Sequence, residues 1–220
     1  MRSLLLVLLT PLVAFACTGS TTTGGAGAPD ASTPDPQTDA STNDAAKADA
    51  GPAAPVGIVF ETDLGNIELE LDPEHAPKTT ANFLQYVDEK HFDGLLFHRV
   101  IPGFMIQGGG YDASYKERGT HDPIKNEADN GLKNLRGTIS MARTSDPDSA
   151  TSQFFISVAN NAKLDFTAKT ETGWGYAVFG KVTVGMDVAD KIVAVPTGKA
   201  GPFTEDAPQT PITIKTAHRK

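Results

Sequence analysis

The segment Phe97–Gly110 sets polar side chains within an otherwise apolar and glycine-rich run. It has the sequence FHRVIPGFMIQGGG, in which Arg99 and Gln107 stand among apolar residues and glycines. Burying an arginine costs free energy unless its guanidinium is paired, so an arginine in such a segment requires an explanation. Because Pro102 and Gly103 are typical of a turn, the segment predicts a hairpin in which Arg99 and Gln107 lie at equal distances from the turn.

The predicted hairpin places these two polar side chains opposite each other. Arg99 would face Gln107 across the ladder, on the same face as Ile101 and Met105. The arginine would then be held by a neutral amide beside apolar surface, with no carboxylate to neutralise it. His98 has the opposite strand parity, which predicts a hydrogen-bonded histidine on the other side of the sheet and not a general base. The alternative is that Arg99 only extends its aliphatic stem over the sheet edge.

Sequence motifs for several common chemistries are missing. There is no phosphate-binding loop ending in Lys-Ser/Thr, no Gly-x-Ser-x-Gly and no His-Glu-x-x-His, and the five histidines lack metal-ligand spacing. We therefore predict neither a metal nor a cofactor. Gly108–Gly110 is predicted to supply backbone freedom and not a phosphate site.

The strands and helices that would position this hairpin are predicted to be short. Strand-like runs dominate, and two segments have helical character, with Ala81, Leu84, Tyr86 and Val87 forming an approximate apolar stripe in the first. The predicted helices are Ala76–Glu89 and Val184–Val193. The predicted strands are Ile58–Thr62, Ile67–Leu71, Leu95–Val100, Met105–Gln107, Thr138–Ala142, Gln153–Val158, Ala177–Val182 and Ile212–Ile214. Many short strands with two helices favour a mainly β fold, a closed barrel capped by helices.

The N-terminal quarter of the chain has a different composition. Residues 1–16 have an early Arg and an apolar run too short for a bilayer, which predicts a signal peptide. Residues 17–55 contain no aromatic residue and no Leu, Ile or Val, and they are predicted to form a disordered linker. The net charge of −8 becomes −5 for residues 56–220 once Arg2 and the linker, with five Asp and one Lys, are set aside. This mildly acidic single domain has no basic stripe, so nucleic acid is not a predicted partner.

Cys17 is the only cysteine, and it directly follows the predicted signal peptide. Its position resembles a bacterial lipoprotein cleavage site, where the cysteine is lipidated. Such sites usually have Leu where this chain has Ala14, and Ala14–Ala16 also suits ordinary signal peptidase. The flexible linker favours the anchor, because a tether lets a domain reach away from a membrane. We therefore predict an exported lipoprotein that faces the periplasm or the cell exterior and contacts membrane through its lipid only.

Three blocks of sequence resemble the cyclophilins, the cyclophilin-type peptidyl-prolyl cis-trans isomerases. They are Phe97–Gly110, Gly137–Val158 and Tyr176–Val182, and Glu127–Asn134 is similar to the bacterial branch. The resemblance covers about Val59–Thr216. It implies an eight-stranded antiparallel barrel closed by two α-helices. It also implies an isomerase of X-Pro bonds in unfolded or flexible exported polypeptides, working as a monomer.

The resemblance also assigns roles to residues of this chain. Arg99 matches the catalytic arginine. The residues that match the substrate-binding positions are Phe104, Met105, Gln107, Ala142, Arg143, Gln153, Phe155, Leu164 and Tyr176. Arg143 stands where many members have Asn, and Tyr176 stands where many have His. Phe154, Ile156, Phe179 and Val182 are assigned to the barrel core.

One departure from the family pattern concerns the rim of the site. Cyclosporin-sensitive cyclophilins have a Trp eight residues after the position of Phe155, and this chain has Lys163 there. The resemblance therefore implies weak cyclosporin binding, unless Phe166 or Trp174 fills that place. A function of another class also stays open at this point, a proline-peptide binding module or holdase without useful turnover.

Overall fold

The computed structural model describes residues 54–220. The predicted signal peptide, the lipidation site at Cys17 and nearly all of the predicted linker lie outside the described residues. Within them, Ala54 and Pro55 are exposed and lead directly into the first strand.

Ten strands and two α-helices make up the described part of the chain. The strands are β1 (Val56–Thr62), β2 (Gly65–Leu71), β3 (Leu95–Ile101), β4 (Met105–Asp112), β5 (Thr138–Met141), β6 (Phe154–Ser157), β7 (Val178–Val184), β8 (Thr197–Ala200), β9 (Phe203–Pro208) and β10 (Thr213–Arg219). The helices are α1 (Pro77–Asp88) and α2 (Met186–Val193). Neither helix is long and apolar enough to cross a membrane.

Eight of these strands close into an antiparallel barrel, in the order β1-β10-β3-β4-β6-β5-β7-β2. This confirms the fold class predicted from the sequence. In β2 the apolar residues alternate with Glu68 and Glu70, and Ile67, Leu69 and Leu71 are buried as that alternation requires.

Phenylalanine rings fill the inside of the barrel. Phe60 stacks on Phe154 at 5.2 Å between ring centroids, and Phe83 of α1 packs on Phe179 at 5.0 Å. All four side chains are fully buried, and each large ring contributes substantial apolar area and favourable edge contacts. The predicted core residues Phe154, Ile156 and Phe179 are confirmed, and Val182 packs against the core from a partly buried position.

The two helices match their predicted positions with small corrections. Of the predicted apolar stripe of α1, Tyr86 and Val87 are buried and Leu84 packs against the core, whereas Ala81 is exposed. The second helix begins at Met186 and not at Val184. Val184 belongs to β7, and Gly185 separates strand from helix with a φ of 89°, a left-handed conformation that favours glycine.

A carboxylate from a distant loop caps the start of α1. Ala76, at the N-cap position, makes no side-chain capping bond. Glu127 supplies it: its Oε1 accepts from the backbone N–H of Lys78 at 3.1 Å, and its Oε2 accepts from that of Thr79 at 2.8 Å. Negative charge at a helix N-terminus is stabilising, so the loop containing Glu127 is held against the helix.

The sequence did not predict the hairpin formed by β8 and β9. These strands pair in a separate two-stranded sheet, with Ala200 opposite Phe203, and they lie outside the barrel order. Their sequences, TGKA and FTEDAP, lack apolar alternation and include proline, which is depleted in strands. The hairpin packs against β3 through Phe203, whose ring stacks on His98 at 5.2 Å.

Candidate active site

Arg99 and Gln107 are direct register partners across the β3–β4 hairpin. Ile101 pairs with Met105 at the end near the turn. This confirms the pairing predicted from the turn signal. Two adjacent strands therefore present a guanidinium and an amide at the same level of the barrel wall.

A cavity of about 160 Å³ opens beside these two residues. Three adjacent strands, β3, β4 and β6, supply Arg99, Gln107 and Phe155 to it, and loops at the strand ends supply others. The residues that line the cavity are Arg99, Phe104, Met105, Gln107, Ala142, Arg143, Phe155, Leu164 and Tyr176. The fold thus brings together nine of the ten site positions inferred from the sequence.

The tenth position, Gln153, lies immediately beside this cavity. The Gln107 amide Nε2 donates to Gln153 Oε1 at 2.9 Å. Gln153 also lines an adjoining cavity of about 220 Å³, which shares Gln107, Ala142 and Arg143 with the first. The two glutamines therefore form a polar wall between the two spaces.

The cavity combines apolar walls with cationic side chains. Met105 and Phe155 are buried, and the Phe155 ring packs edge-on against Tyr176 at 5.7 Å. The Arg143 guanidinium lies over the Tyr176 ring at 4.8 Å, and its Nε donates to the Gly175 carbonyl at 2.9 Å. Cation–π contact and hydrogen bonding together fix Arg143 as a wall of the cavity.

The charge environment of Arg99 differs from the prediction. The sequence predicted a neutral amide as its neighbour and no carboxylate, but Asp206 of β9 places Oδ2 3.7 Å from Arg99 Nε. The Gln107 amide nitrogen is directed to Gln153 instead. The prediction was wrong because the carboxylate comes from the unpredicted hairpin, more than a hundred residues further along the chain.

His98 also departs from the prediction, because β3 contains a bulge. Phe97 pairs with Gly108 and Arg99 with Gln107, so His98 is the extra residue, and the core residues Phe97 and Val100 are three apart. His98 therefore lies outside the barrel, on the same side as Arg99, and its Nδ1 has no hydrogen-bond partner in the described part of the chain. Burial lowers the pKa of His98 to about 4, with the nearby Arg99 charge acting in the same direction.

Glycines in β4 allow the strands to approach closely behind the site. Gly109 has a φ of 87°, and a Cβ there would meet the Ser152 carbonyl oxygen at 2.8 Å. A Cβ on Gly110 would lie 2.7 Å from the Gln153 side chain. The triple glycine thus serves backbone conformation and packing, as predicted, and it keeps Gln153 within reach of Gln107. Within residues 54–220 no group of three or more His, Cys, Asp or Glu is arranged to hold a metal.

Comparison with known proteins places the barrel and its cavity in a family. The model of the cyclophilin type peptidyl-prolyl cis-trans isomerases matches residues 57–219. The chain belongs to the cyclophilin family. A peptidyl-prolyl cis-trans isomerase A of Dickeya dadantii is 56% identical over 160 residues, which cover 73% of this chain and 82% of that protein. Peptidyl-prolyl cis-trans isomerase B of Escherichia coli is 49% identical over 158 residues, covering 72% and 96%.

Solved structures agree with this assignment. A cyclophilin of Cryptosporidium parvum, crystallised in the presence of the dipeptide Ala-Pro, has a TM-score of 0.63 and 28% sequence identity to this chain. The match covers 74% of this chain and 98% of that one. This cyclophilin, like its bacterial relatives at 49–56% identity, is accordingly a peptidyl-prolyl cis-trans isomerase.

Lys163 lies at the edge of the cyclophilin site without lining the cavity. It is exposed in a short 3₁₀ turn, Ala162–Leu164, whose last residue reaches the cavity. Phe166 and Trp174 pack on each other at 5.5 Å, and neither lines the cavity. In this cyclophilin neither aromatic residue therefore forms part of the cavity wall.

Asn134 is a positioning residue that the sequence did not reveal. It is buried, its Nδ2 donates to the carbonyls of Leu164 and Tyr176 at 3.1 and 3.3 Å, and its Oδ1 accepts from Ser140 Oγ at 2.8 Å. Asp165 Oδ1 accepts from the Asn134 backbone N–H at 2.7 Å. One amide thus fixes the backbone of two cavity residues.

Asn161 has a similar role at the opposite wall. Its Nδ2 donates to the Phe104 carbonyl at 3.0 Å and to Ser157 Oγ at 3.2 Å. Nothing in the sequence near either asparagine distinguishes it from a loop residue. The backbone carbonyls that they bind belong to residues 30 to 57 positions away, so only the folded chain shows what they hold.

Proposed function

We propose that this cyclophilin binds the proline ring of an X-Pro segment in the cavity and that Arg99 lowers the rotational barrier. The barrier is about 18–20 kcal/mol and comes from amide resonance, which shares the nitrogen lone pair with the carbonyl. Twisting the bond localises that lone pair on the prolyl nitrogen. A guanidinium aimed at this nitrogen donates a stronger hydrogen bond to the twisted amide than to the planar one.

The observation that carries this proposal is the joint position of Arg99 and an apolar surface on one small cavity. Met105 and Phe155 are buried and offer a proline ring an apolar wall, while Arg99 lines the same space. The Arg99 side chain is 43% exposed, so a bound peptide can reach its guanidinium. An arginine suits the task because it stays charged and presents a planar fork of donors.

The remaining lining residues would orient the peptide around the bond that rotates. Ala142, with Arg143, provides the loop against which an extended substrate backbone would lie. Gln107, fixed by Gln153, would direct its amide towards the substrate beside Arg99. Tyr176, held between Phe155 and Arg143, would cover the proline ring.

The decisive experiment is replacement of Arg99 by alanine. A hydrogen bond to a charged group contributes about 1.5–3 kcal/mol, so kcat/KM should fall roughly ten- to a hundredfold at 1.36 kcal/mol per decade. The measurement is a protease-coupled assay on short X-Pro peptides, with circular dichroism to confirm folding. Arg99→Lys should restore little, because an ammonium on a flexible stem lacks the planar fork.

Arg219→Ala provides the matched control. Arg219 also pairs with a carboxylate at the surface, Asp88 at 2.6 Å, but does not line the cavity, so its loss should leave turnover unchanged. A folded Arg99→Ala variant with wild-type turnover would contradict the mechanism. Absence of turnover in the wild type would favour the alternative function, a non-catalytic binder of proline-containing peptides.

We further propose that the substrates are exported polypeptides and that the domain is tethered to a membrane through lipid on Cys17. The support comes from the sequence alone: an apolar leader, a cysteine directly after it, and a polar linker before the domain. Ordinary secretion after cleavage at the same bond is the alternative.

A further inference from the structure

We propose that Asp206 is a positioning residue for Arg99, and that the β8–β9 hairpin exists at this site to present it. The inference rests on the proposed role of Arg99. Asp206 is the only carboxylate within 4 Å of the Arg99 guanidinium among residues 54–220, with Oδ2 3.7 Å from Nε. The Arg99 side chain makes no hydrogen bond within the described domain, so this ion pair is its one polar restraint there.

The direction of the contact suits catalysis. Asp206 approaches Nε of the guanidinium, and no ion pair of the described domain engages the two terminal nitrogens of Arg99, which lines the cavity. A long arginine side chain loses considerable rotamer entropy when it is fixed, and a restraint already present in the free enzyme reduces the part of that loss that falls on the transition state. A separation of 3.7 Å exceeds hydrogen-bond length, so the attraction restrains the guanidinium without occupying one of its donors.

The backbone at Asp206 supports a dedicated role. Asp206 has a φ of 64°, one of three non-glycine residues with positive φ in the described part of the chain. Such a conformation costs free energy and persists only where the surrounding structure enforces it. Asp and Asn tolerate it better than other residues, which allows a carboxylate at this bend of β9.

The hairpin that carries Asp206 is anchored on the residue next to Arg99. Phe203 stacks on His98 with an interplanar angle of 22°, and it meets Tyr111 edge-on at 5.1 Å. A Cβ on Gly201 at the turn would lie 2.4 Å from Tyr115, so the turn is closely packed as well. His98 is the bulged residue of β3, so the hairpin contacts this strand at the residue next to Arg99.

The test is a double-mutant cycle between Asp206→Asn and Arg99→Ala, measured as kcat and KM with an uncharged X-Pro peptide. Asn has the same size and accepts positive φ, so the variant should fold. In the wild-type background kcat should fall three- to tenfold with KM within twofold, because the restraint matters for the transition state. In the Arg99→Ala background Asp206→Asn should cause no further loss.

Glu205→Gln is the matched control. Glu205 is the neighbouring carboxylate on β9, it is exposed, and it joins none of the ion pairs of the described domain, so its replacement should leave kcat unchanged. Equal losses of kcat from Asp206→Asn in both backgrounds would overturn the inference. A rise in kcat would also overturn it, because it would mean that the negative charge of Asp206 only offsets the positive charge of the guanidinium. If Arg99→Ala alone leaves kcat unchanged, the proposed function fails whatever Asp206 does.

Salt provides a second readout that a purely structural role would not move. The Arg99 and Asp206 side chains are 43% and 29% exposed, so solvent ions reach the pair. At about 1 M salt the Debye length is roughly 3 Å. The advantage of the wild type over Asp206→Asn should therefore shrink as salt is added. An advantage that persists unchanged would show that Asp206 acts through hairpin packing and not through its charge.

Discussion

Single residues decide what enters the site and what stabilises the reacting bond. Arg99 lines the same cavity as the buried Met105 and Phe155, and the charged and the apolar side chains have different roles there. In the proposed mechanism the charge of the arginine meets a developing lone pair, and the apolar side chains would exclude water from the proline ring. The polar residues that hold the loops, Asn134 and Asn161, do not line the cavity.

Lys163 provides a prediction at this scale. It is exposed beside the cavity, at the position where cyclosporin-sensitive cyclophilins have Trp, and neither Phe166 nor Trp174 lines the cavity. We expect cyclosporin to inhibit the wild type weakly. Lys163→Trp should gain about tenfold in drug affinity, since a neutral hydrogen bond contributes about 1 kcal/mol and the indole adds apolar contact.

The measurement is a cyclosporin titration of the isomerase assay. Turnover of short peptides should be the same in both proteins, because Lys163 does not line the cavity. Lys78→Trp, at an exposed position of α1, is the control and should gain nothing. Tight inhibition of the wild type, or no gain in Lys163→Trp, would show that the drug's rim lies elsewhere on the barrel.

Irregular elements of secondary structure place side chains at positions that regular strand alternation does not provide. The bulge in β3 turns both His98 and Arg99 outwards, and the β8–β9 hairpin then covers His98 while leaving Arg99 at the cavity. The site therefore depends on one irregular strand and one accessory hairpin as much as on the regular barrel.

The covered histidine predicts a pH dependence of stability. Burial, the main cause, lowers the pKa of His98 to about 4, below its usual 6.5. The unfolded chain binds a proton first as pH falls, so the stabilisation is complete above about pH 6.5 and is lost between there and about pH 4. This loss is on the order of 3 kcal/mol at 1.36 kcal/mol per pKa unit.

Urea denaturation at pH 7 and pH 4.5 checks this expectation. His98→Phe keeps a ring against Phe203 but cannot titrate, so it should lose less free energy of unfolding between the two pH values than the wild type does. His218→Phe, at an exposed position of β10, should keep the wild-type pH dependence. An identical pH dependence for His98→Phe and the wild type would mean that His98 is hydrated in the folded protein.

At the scale of the whole molecule, the barrel of residues 56–220 contains every part of the candidate site. Activity on small peptides should therefore not require a membrane, while access to exported substrates would depend on where the domain is held. The lipid anchor proposed at Cys17 would hold the domain at a membrane surface.

Mass spectrometry and membrane fractionation test the proposed lipid anchor. Protein produced in a bacterial host should carry a diacylglyceryl group on Cys17 and fractionate with membranes, whereas Cys17→Ser should be released into the soluble fraction. Thr18→Ser, which changes only the following residue, should remain with the membranes. A soluble, unmodified wild-type protein would contradict the proposal and support cleavage by ordinary signal peptidase.

The sequence alone determined the barrel, its two helices and the grouping of nine cavity residues. It could do so because strand alternation and turn residues are local signals, as in β2 and at Pro102–Gly103, and because long motifs resemble one family. The approximate ends of the elements followed from the same signals. The exposed Ala81 of α1 and the start of α2 after Val184 show the limit, since both residues have apolar character in either arrangement.

Only the tertiary structure decided the environment of Arg99. Asp206, Phe203 and Asn134 act on residues far from them in the chain, and none belongs to a local pattern that predicts a partner. The bulge at His98 inserts one residue into a regular alternation, and that insertion reverses the predicted side of the histidine. Local signals predicted the eight barrel strands but not β8 and β9, and the charge and packing around a side chain depend on contacts that exist only once the barrel has closed.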